Sequence, residues 1–112
     1  MRIRDDWGQD PSVQNMRRVF VHMERAQKEL LGRLNISSFD SRLRRWREGA
    51  LGLFERTWTL AVRRGAVLSE EDVASLYTHC LARVLSLDGV KIPREALPQD
   101  DKIVRFLQEE LP

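Results

Sequence analysis

The chain has 112 residues, 42% of them hydrophobic and 32% charged, with a formal net charge of +2. Apolar and charged positions interleaved in that proportion exclude a disordered polymer, which combines low hydrophobicity with unbalanced charge, and the length suits one domain with a modest core. No uncharged apolar stretch approaches the roughly 18 residues of a membrane span, and the single cysteine, Cys80, excludes an internal disulfide framework and fits a reducing compartment.

The opening MRIRDDWGQD carries no apolar segment of the kind a secretory signal needs. The expectation is one cytoplasmic domain over 1–112, with a flexible N-terminal segment at 1–9 and no membrane association. The Asn-Ile-Ser triplet at Asn35 is then incidental.

The small net charge hides an asymmetry. Residues 1–65 carry 14 Lys and Arg against 8 Asp and Glu, and residues 66–112 carry 5 against 9. Such a split fits either a basic surface for nucleic acid or two halves that attract each other, within one chain or across a dimer. Of the 19 cations, 16 are arginine, the residue suited to bidentate recognition of carboxylate and phosphate.

The first helix is expected over about 11–34. Asp10 is a good N-cap, and Pro11 sits where its missing N–H costs nothing. Val13, Met16, Phe20, Met23, Leu30 and Leu34 recur at alternating spacings of three and four, with Gln27 in the remaining slot, which marks a helix packed on near-parallel neighbours. Val19, Ala26 and Leu31 broaden the stripe, and Arg18, His22, Arg25 and Glu29 line the opposite, solvated side.

A break at NISSFD, with Ser38 or Asp40 as cap, leads to a second helix over about 41–64 that stops at Gly65. At 100° per residue, Leu43, Ala50, Phe54, Thr57 and Ala61 point one way, flanked by Trp46, Leu53 and Leu60 on one edge and by Leu51, Trp58 and Val62 on the other. An arc this wide predicts a helix at the centre of the bundle. What remains is a ridge of Arg45, Gly49, Gly52, Arg56, Thr59 and Arg63. The tryptophans thus fall on the edges of the apolar arc and the ridge arginines opposite it. A platform for stacking bases wants both on one exposed face, a condition met at most where Trp46 lies beside Arg42.

The third helix, about 70–87, opens with Ser69 and Asp72 in capping-box spacing. Its core face is Val73, Leu76, Tyr77, Cys80, Leu81, Val84 and Leu87. Pro93 and Pro98 forbid regular helix in VKIPREALP, which becomes a connector with a short turn at 94–97 and with Val90, Ile92 and Leu97 plugging the bundle end. A last short helix, about 99–111, carries Ile103, Phe106, Leu107 and Leu111. No segment has the period-2 alternation of a half-buried strand. The fold class is all-α: a small bundle of three substantial helices plus a short C-terminal one.

Catalytic chemistry finds no footing. His22 and His79 lie on different helices outside any HExxH or ExxH pattern, and adjacent His79 and Cys80 point about 100° apart on a helix. Cys80 faces the core, where a thiol is inert. GALG at 49–52 lies within a helix and is no phosphate loop. The carboxylates at 70–72 and 100–101 are explained by capping and the helix dipole. No catalytic residue, metal ligand or cofactor is expected.

Two functions of different kinds remain. In the first, the chain is a non-enzymatic protein–protein interaction module, a small accessory or regulatory subunit that self-associates, a dimer being favoured, through a ridge of Arg45, Gly49, Gly52, Arg56 and Arg63. The two mid-helix glycines each cost roughly 1 kcal/mol relative to alanine, and close approach of a second copy would give them a reason. In the second, Arg18, Arg25, Arg42, Arg44 and Arg45 form a sequence-independent nucleic-acid patch, with affinity that falls steeply with salt. A small-molecule pocket near Trp46, Trp58 and Tyr77 is a third possibility, since bundles host ligands between helices.

Overall fold

A computed structural model describes the backbone of residues 13–110 and the side chains of residues 18–109. They form an all-α bundle: α1 (Val13–Arg33), α2 (Leu43–Arg63), α3 (Glu70–Leu87), a single 3-10 turn (Arg94–Ala96) and α4 (Asp101–Glu110). There is no β-strand among the described residues. Asp10, Pro11, Leu111 and the segment 1–9 lie outside them.

The punctuation follows the sequence closely. Asn35, Gly65 and Gly89 are the described residues with φ between 56° and 88°, and each closes a helix in the same way. The amide of the left-handed residue and the next amide reach back to carbonyls of the last turn: Asn35 to Gly32 and Ile36 to Leu31, Gly65 to Val62 and Ala66 to Ala61, Gly89 to Ser86 and Val90 to Leu85. This pair of hydrogen bonds satisfies carbonyls that a helix end otherwise leaves exposed. At the start of α3, Ser69 Oγ accepts from the Asp72 amide at 3.1 Å while the Ser69 amide donates to Asp72 Oδ2 at 2.9 Å, the reciprocal capping box that the spacing predicts. Helix α2 starts later than the expected caps Ser38 and Asp40 imply: its N-cap is Arg42, with no side-chain cap bond, and Asp40 instead accepts the Arg42 amide at 2.9 Å.

The helix at the centre is α3, not α2. Helix α3 packs on α1, α2 and α4, whereas α1 and α2 flank it and scarcely touch each other. Pairings fix the directions. Gln27 meets Tyr77 and Arg25 meets Glu71, so α1 runs with α3; Trp46 meets Asp88 and Gly49 backs on Val84, so α2 runs against it. The apolar arc of α2 is wide because its edges face different neighbours: Thr57 lies near Cys80 of α3, while Leu53 turns toward a cleft shared with α4. Ten side chains of α3 are buried, Ser75, Thr78 and Asp72 among them, against six on α2.

Two expected core positions are in solvent. Phe20 is 43% exposed because the buried stripe of α1 runs through Val19, Met23, Ala26, Leu30 and Leu31. The small Ala26 is 2% exposed, while Gln27 is half-buried and accepts from the Tyr77 hydroxyl at 3.5 Å. Leu87 is 81% exposed: the helical period carries the buried face of α3 from Leu81 to Leu85, and Leu87, two residues on, points the other way. Val90, Ile92 and Leu97 do pack against the core from the connector. The Arg33 guanidinium donates to the Ala96 carbonyl at 3.2 Å and ties that connector to α1.

Candidate functional site

Along α2, Arg45, Gly49, Gly52, Arg56, Thr59 and Arg63 are all exposed, so the ridge read from the helical wheel is a real surface. Its members differ in what they can still do. A Cβ on Gly49 would lie 3.3 Å from Val84 Cγ1, whereas one on Gly52 would meet nothing within 4 Å. Gly49 therefore has its reason inside the molecule, in the close pass of α2 over α3. Gly52 has none there. Arg45 is committed internally, with Nη2 2.6 Å from Asp88 Oδ2. Arg56 and Arg63 make no ion pair among the described residues.

The proposed nucleic-acid patch is largely spent on intramolecular partners. Arg42 forms a two-pronged pair with Asp40, at 3.1 and 2.9 Å, and its guanidinium carbon lies 4.5 Å from the centroid of the Trp46 ring. Hydrogen bonds from the Arg42 side chain and amide hold the Asp40 carboxyl down at about 2. Arg44 reaches Glu48 at 3.4 Å and Arg25 reaches Glu71 at 3.9 Å. Arg18 also has an interaction of its own. Attraction between the basic and acidic halves is thus met partly within one chain, by Arg45 with Asp88 and by Arg25 with Glu71.

Trp46 does lie beside Arg42, as the sequence suggests, yet it offers nothing to a base. It is only 1% exposed, Arg42 covers it, and its indole N–H donates to Asp88 Oδ2 at 2.8 Å. Hydrogen bonds from Trp46 and Arg45 hold the Asp88 carboxyl below its usual value. An acid at the C-terminal end of a helix opposes the helix dipole. Here it stays because it locks the end of α3 to the start of α2.

The histidines and the cysteine are structural in placement. His22 is not solvated: its side chain is 15% exposed and Nε2 lies 3.6 Å from Glu70 Oε2. Burial lowers the His79 pKa, which keeps that ring neutral, and Nε2 lies 3.3 Å from the Pro98 carbonyl, to which the tautomer protonated there donates. Burial pushes the Cys80 thiol up to about 11, with Thr57 and the charge of Arg56 acting the other way. A thiol so held is not a nucleophile at neutral pH. Among the described residues no group of three or more His, Cys, Asp or Glu stands together to hold a metal, and no helix is long and apolar enough to cross a membrane.

Of Trp46, Trp58 and Tyr77, Tyr77 borders only a small hollow of about 110 Å³, and the larger apolar cleft lies elsewhere. Trp46 and Tyr77 are buried, and Trp58 stacks edge-on against Phe54 with centroids 5.4 Å apart. The cleft, about 380 Å³, lies between α2, α3, the connector and α4. Half-buried Leu53, Ile92, Leu97, Val104 and Leu107 make its apolar walls, with Arg83 at the polar side. Helical spacing places Arg83 beside His79, four residues before it. What it could not provide is the opposite wall, which comes from α4 and the connector.

At the far end of α4, Lys102 Nζ reaches Asp72 Oδ2 at 2.7 Å and the Val67 carbonyl at 3.1 Å. Burial acts to raise the Asp72 pKa, but hydrogen bonds from Asp100, Lys102 and the Ser69 amide outweigh it and hold the carboxyl at about 2. Burial and the proton shared with Asp72 raise Asp100. This cluster seats α4 on the cap of α3.

No protein-family model, curated protein or solved structure matches the chain with significance.

Proposed function

We propose that the protein is a non-enzymatic interaction module, an accessory or regulatory subunit that self-associates through the exposed ridge of α2. The observation that carries this reading is Gly52. It sits mid-helix in open space, where alanine would be better by roughly 1 kcal/mol, and no contact among the described residues accounts for it. Glu48 stands four residues before it and Arg56 four residues after it, both exposed. In a two-fold contact, each copy presents the same patch to the other. If two α2 helices cross antiparallel at Gly52, positions equally far from it face each other, so Glu48 of each copy meets Arg56 of the other. The absent side chain lets the helices approach, and the ridge is self-complementary in charge.

A contact limited to one helix from each copy is small, so the dimer is expected to be transient and concentration-dependent. The nucleic-acid alternative has less support, because Arg25, Arg42, Arg44 and Arg45 already face carboxylates of their own chain.

Light scattering across a concentration series tests the reading. The wild type is expected to rise toward dimer mass, while Gly52→Leu stays monomeric with its helical circular dichroism intact, since leucine is a better helix former than glycine. Equal masses for the two at every concentration would remove the ridge from the proposal. A low-salt titration with a short duplex separates the alternative, which requires binding that weakens steeply as salt is added.

A further inference from the structure

The cleft between α2, α3, the connector and α4 has no part in the self-association just described, and its lining is unusual in charge. Leu53, Ile92, Leu97, Val104 and Leu107 form its walls, and among the described residues no carboxylate lines it. The ring of His79 on its wall is neutral, because burial disfavours the charged form. Among the described residues Arg83 is therefore the one formal charge in the lining, and it makes no ion pair or hydrogen bond there. Ser86, one turn further along α3, and Gln108 on α4 complete the polar side with hydrogen-bonding groups. Arg25, Arg42, Arg44 and Arg45 each have a carboxylate within 4 Å, and Arg56 and Arg63, which share the lack of an ion pair among the described residues, stand on the α2 ridge and do not line this cleft. The cleft's arginine is left with its charge unanswered beside an apolar hollow.

We propose that this cleft binds a small amphipathic carboxylate, an alkyl or arylalkyl acid, with its chain among Leu53, Leu97, Val104 and Leu107 and its carboxylate at Arg83. The size fits: about 380 Å³ holds on the order of ten to thirteen non-hydrogen atoms at the ~30 Å³ that a water molecule occupies in the liquid. The shape fits as well, since ligand sites of small proteins are mostly apolar with few convergent polar groups. An arginine matches a carboxylate with two parallel N–H donors. Ser86 and Gln108 supply further donors within the same polar edge. The walls come from four segments of chain, so an occupant would also hold α4 and the connector against α2 and α3.

The probe is octanoate, with 1-octanol as its uncharged counterpart, titrated into the full chain by calorimetry. Octanoate is expected to bind more tightly than octanol, by about fivefold for a carboxylate on a partly exposed arginine. Arg83→Leu is expected to erase that preference while octanol binding stays within about twofold. Val104→Trp, which fills the cleft from α4, is expected to abolish both, with circular dichroism showing that the variant stays folded. Absence of octanoate binding would overturn the proposal, as would a preference that survives Arg83→Leu or binding that survives Val104→Trp. Loss of dimer mass in Val104→Trp, without loss of a bound ligand, would make the cleft an interface between copies and overturn it too.

Discussion

Helices α2 and α3 lie antiparallel against each other and are of similar length, 21 and 18 residues, yet they stand in different surroundings. Helix α3 is covered on most of its circumference, and even its serine, threonine and aspartate side chains are buried. Helix α2 buries one side and presents a ridge of arginine, glutamate and glycine to solvent. The breadth of the apolar arc does not distinguish them, because an arc can be broad by touching two neighbours at its edges. Charge distinguishes them. From Val73 to Ala82 the sequence has ten residues without Asp, Glu, Lys or Arg, whereas the longest such runs in α2, Gly49 to Phe54 and Thr57 to Val62, have six each. A helix covered on most of its sides has few places to put a charge.

This contrast can be broken most forcefully at the core. Leu81 of α3 is fully buried and Leu53 of α2 is half-buried at the cleft. Leu81→Ala is expected to cost about 2–5 kcal/mol, the range for truncation in a packed core, and Leu53→Ala about 1 kcal/mol. Urea unfolding of both variants measures the gap, and equal losses would deny α3 its central place.

The next effect concerns the lock between the two helices. Asp88→Ala leaves the buried Trp46 N–H without its acceptor and Arg45 without its partner. The melting temperature should fall by several degrees, and by clearly less in Arg45→Ala, because Arg45 is exposed and can be solvated. A fall as large in Arg45→Ala would place the strength of the lock in the surface ion pair instead of the indole.

Smaller effects separate the two ridge glycines. Gly52→Ala gains helix propensity with no neighbour to disturb, and is expected to stabilise the chain by up to about 1 kcal/mol. Gly49→Ala gains the same propensity but presses on Val84, so its net change should be near zero. Thermal unfolding of the pair reads the difference directly.

The smallest effect is the pH dependence of the α3–α4 junction. Asp72 stands at about 2 in the folded chain against an ordinary value of 3.8. Its folded pKa is depressed, so its ionised form contributes stability that is present above pH 3.8 and lost as pH falls through about 2. Burial and the neighbouring Asp72 raise Asp100, so it takes up its proton before Asp72 does as pH falls. Lys102→Met should lower stability at about pH 6 by a few tenths of a kcal/mol to about 1. The deficit should shrink toward pH 2, where Asp72 is itself protonated.

Much of the fold can be read from the residues. The boundaries of α3, its capping box, the stops at Gly65 and Gly89, the prolines that force the connector and the exposed ridge of α2 all follow from local rules, and local rules suffice where the partner is a few residues away. Phe20, Leu87 and the central helix do not follow, since each depends on which neighbour a face meets. The pairings of Arg45 with Asp88 and Arg25 with Glu71 are equally out of reach, because they join residues 43 and 46 positions apart. The cleft is assembled from α2, α3, the connector and α4, so no single stretch announces it, although Arg83 is visible as a lone cation following the uncharged run of α3.

Self-association through Gly52 has its most direct test in charge reversal at the two positions that would face each other. Sedimentation equilibrium would compare the wild type with Glu48→Arg, Arg56→Glu and the double variant carrying both changes. Each single change sets like charges opposite each other across the two-fold and should give a monomer, and the double change restores opposite charges in reverse and should recover the dimer. Masses that do not differ among the four proteins, or a double variant as dissociated as its parents, would contradict a dimer built on α2.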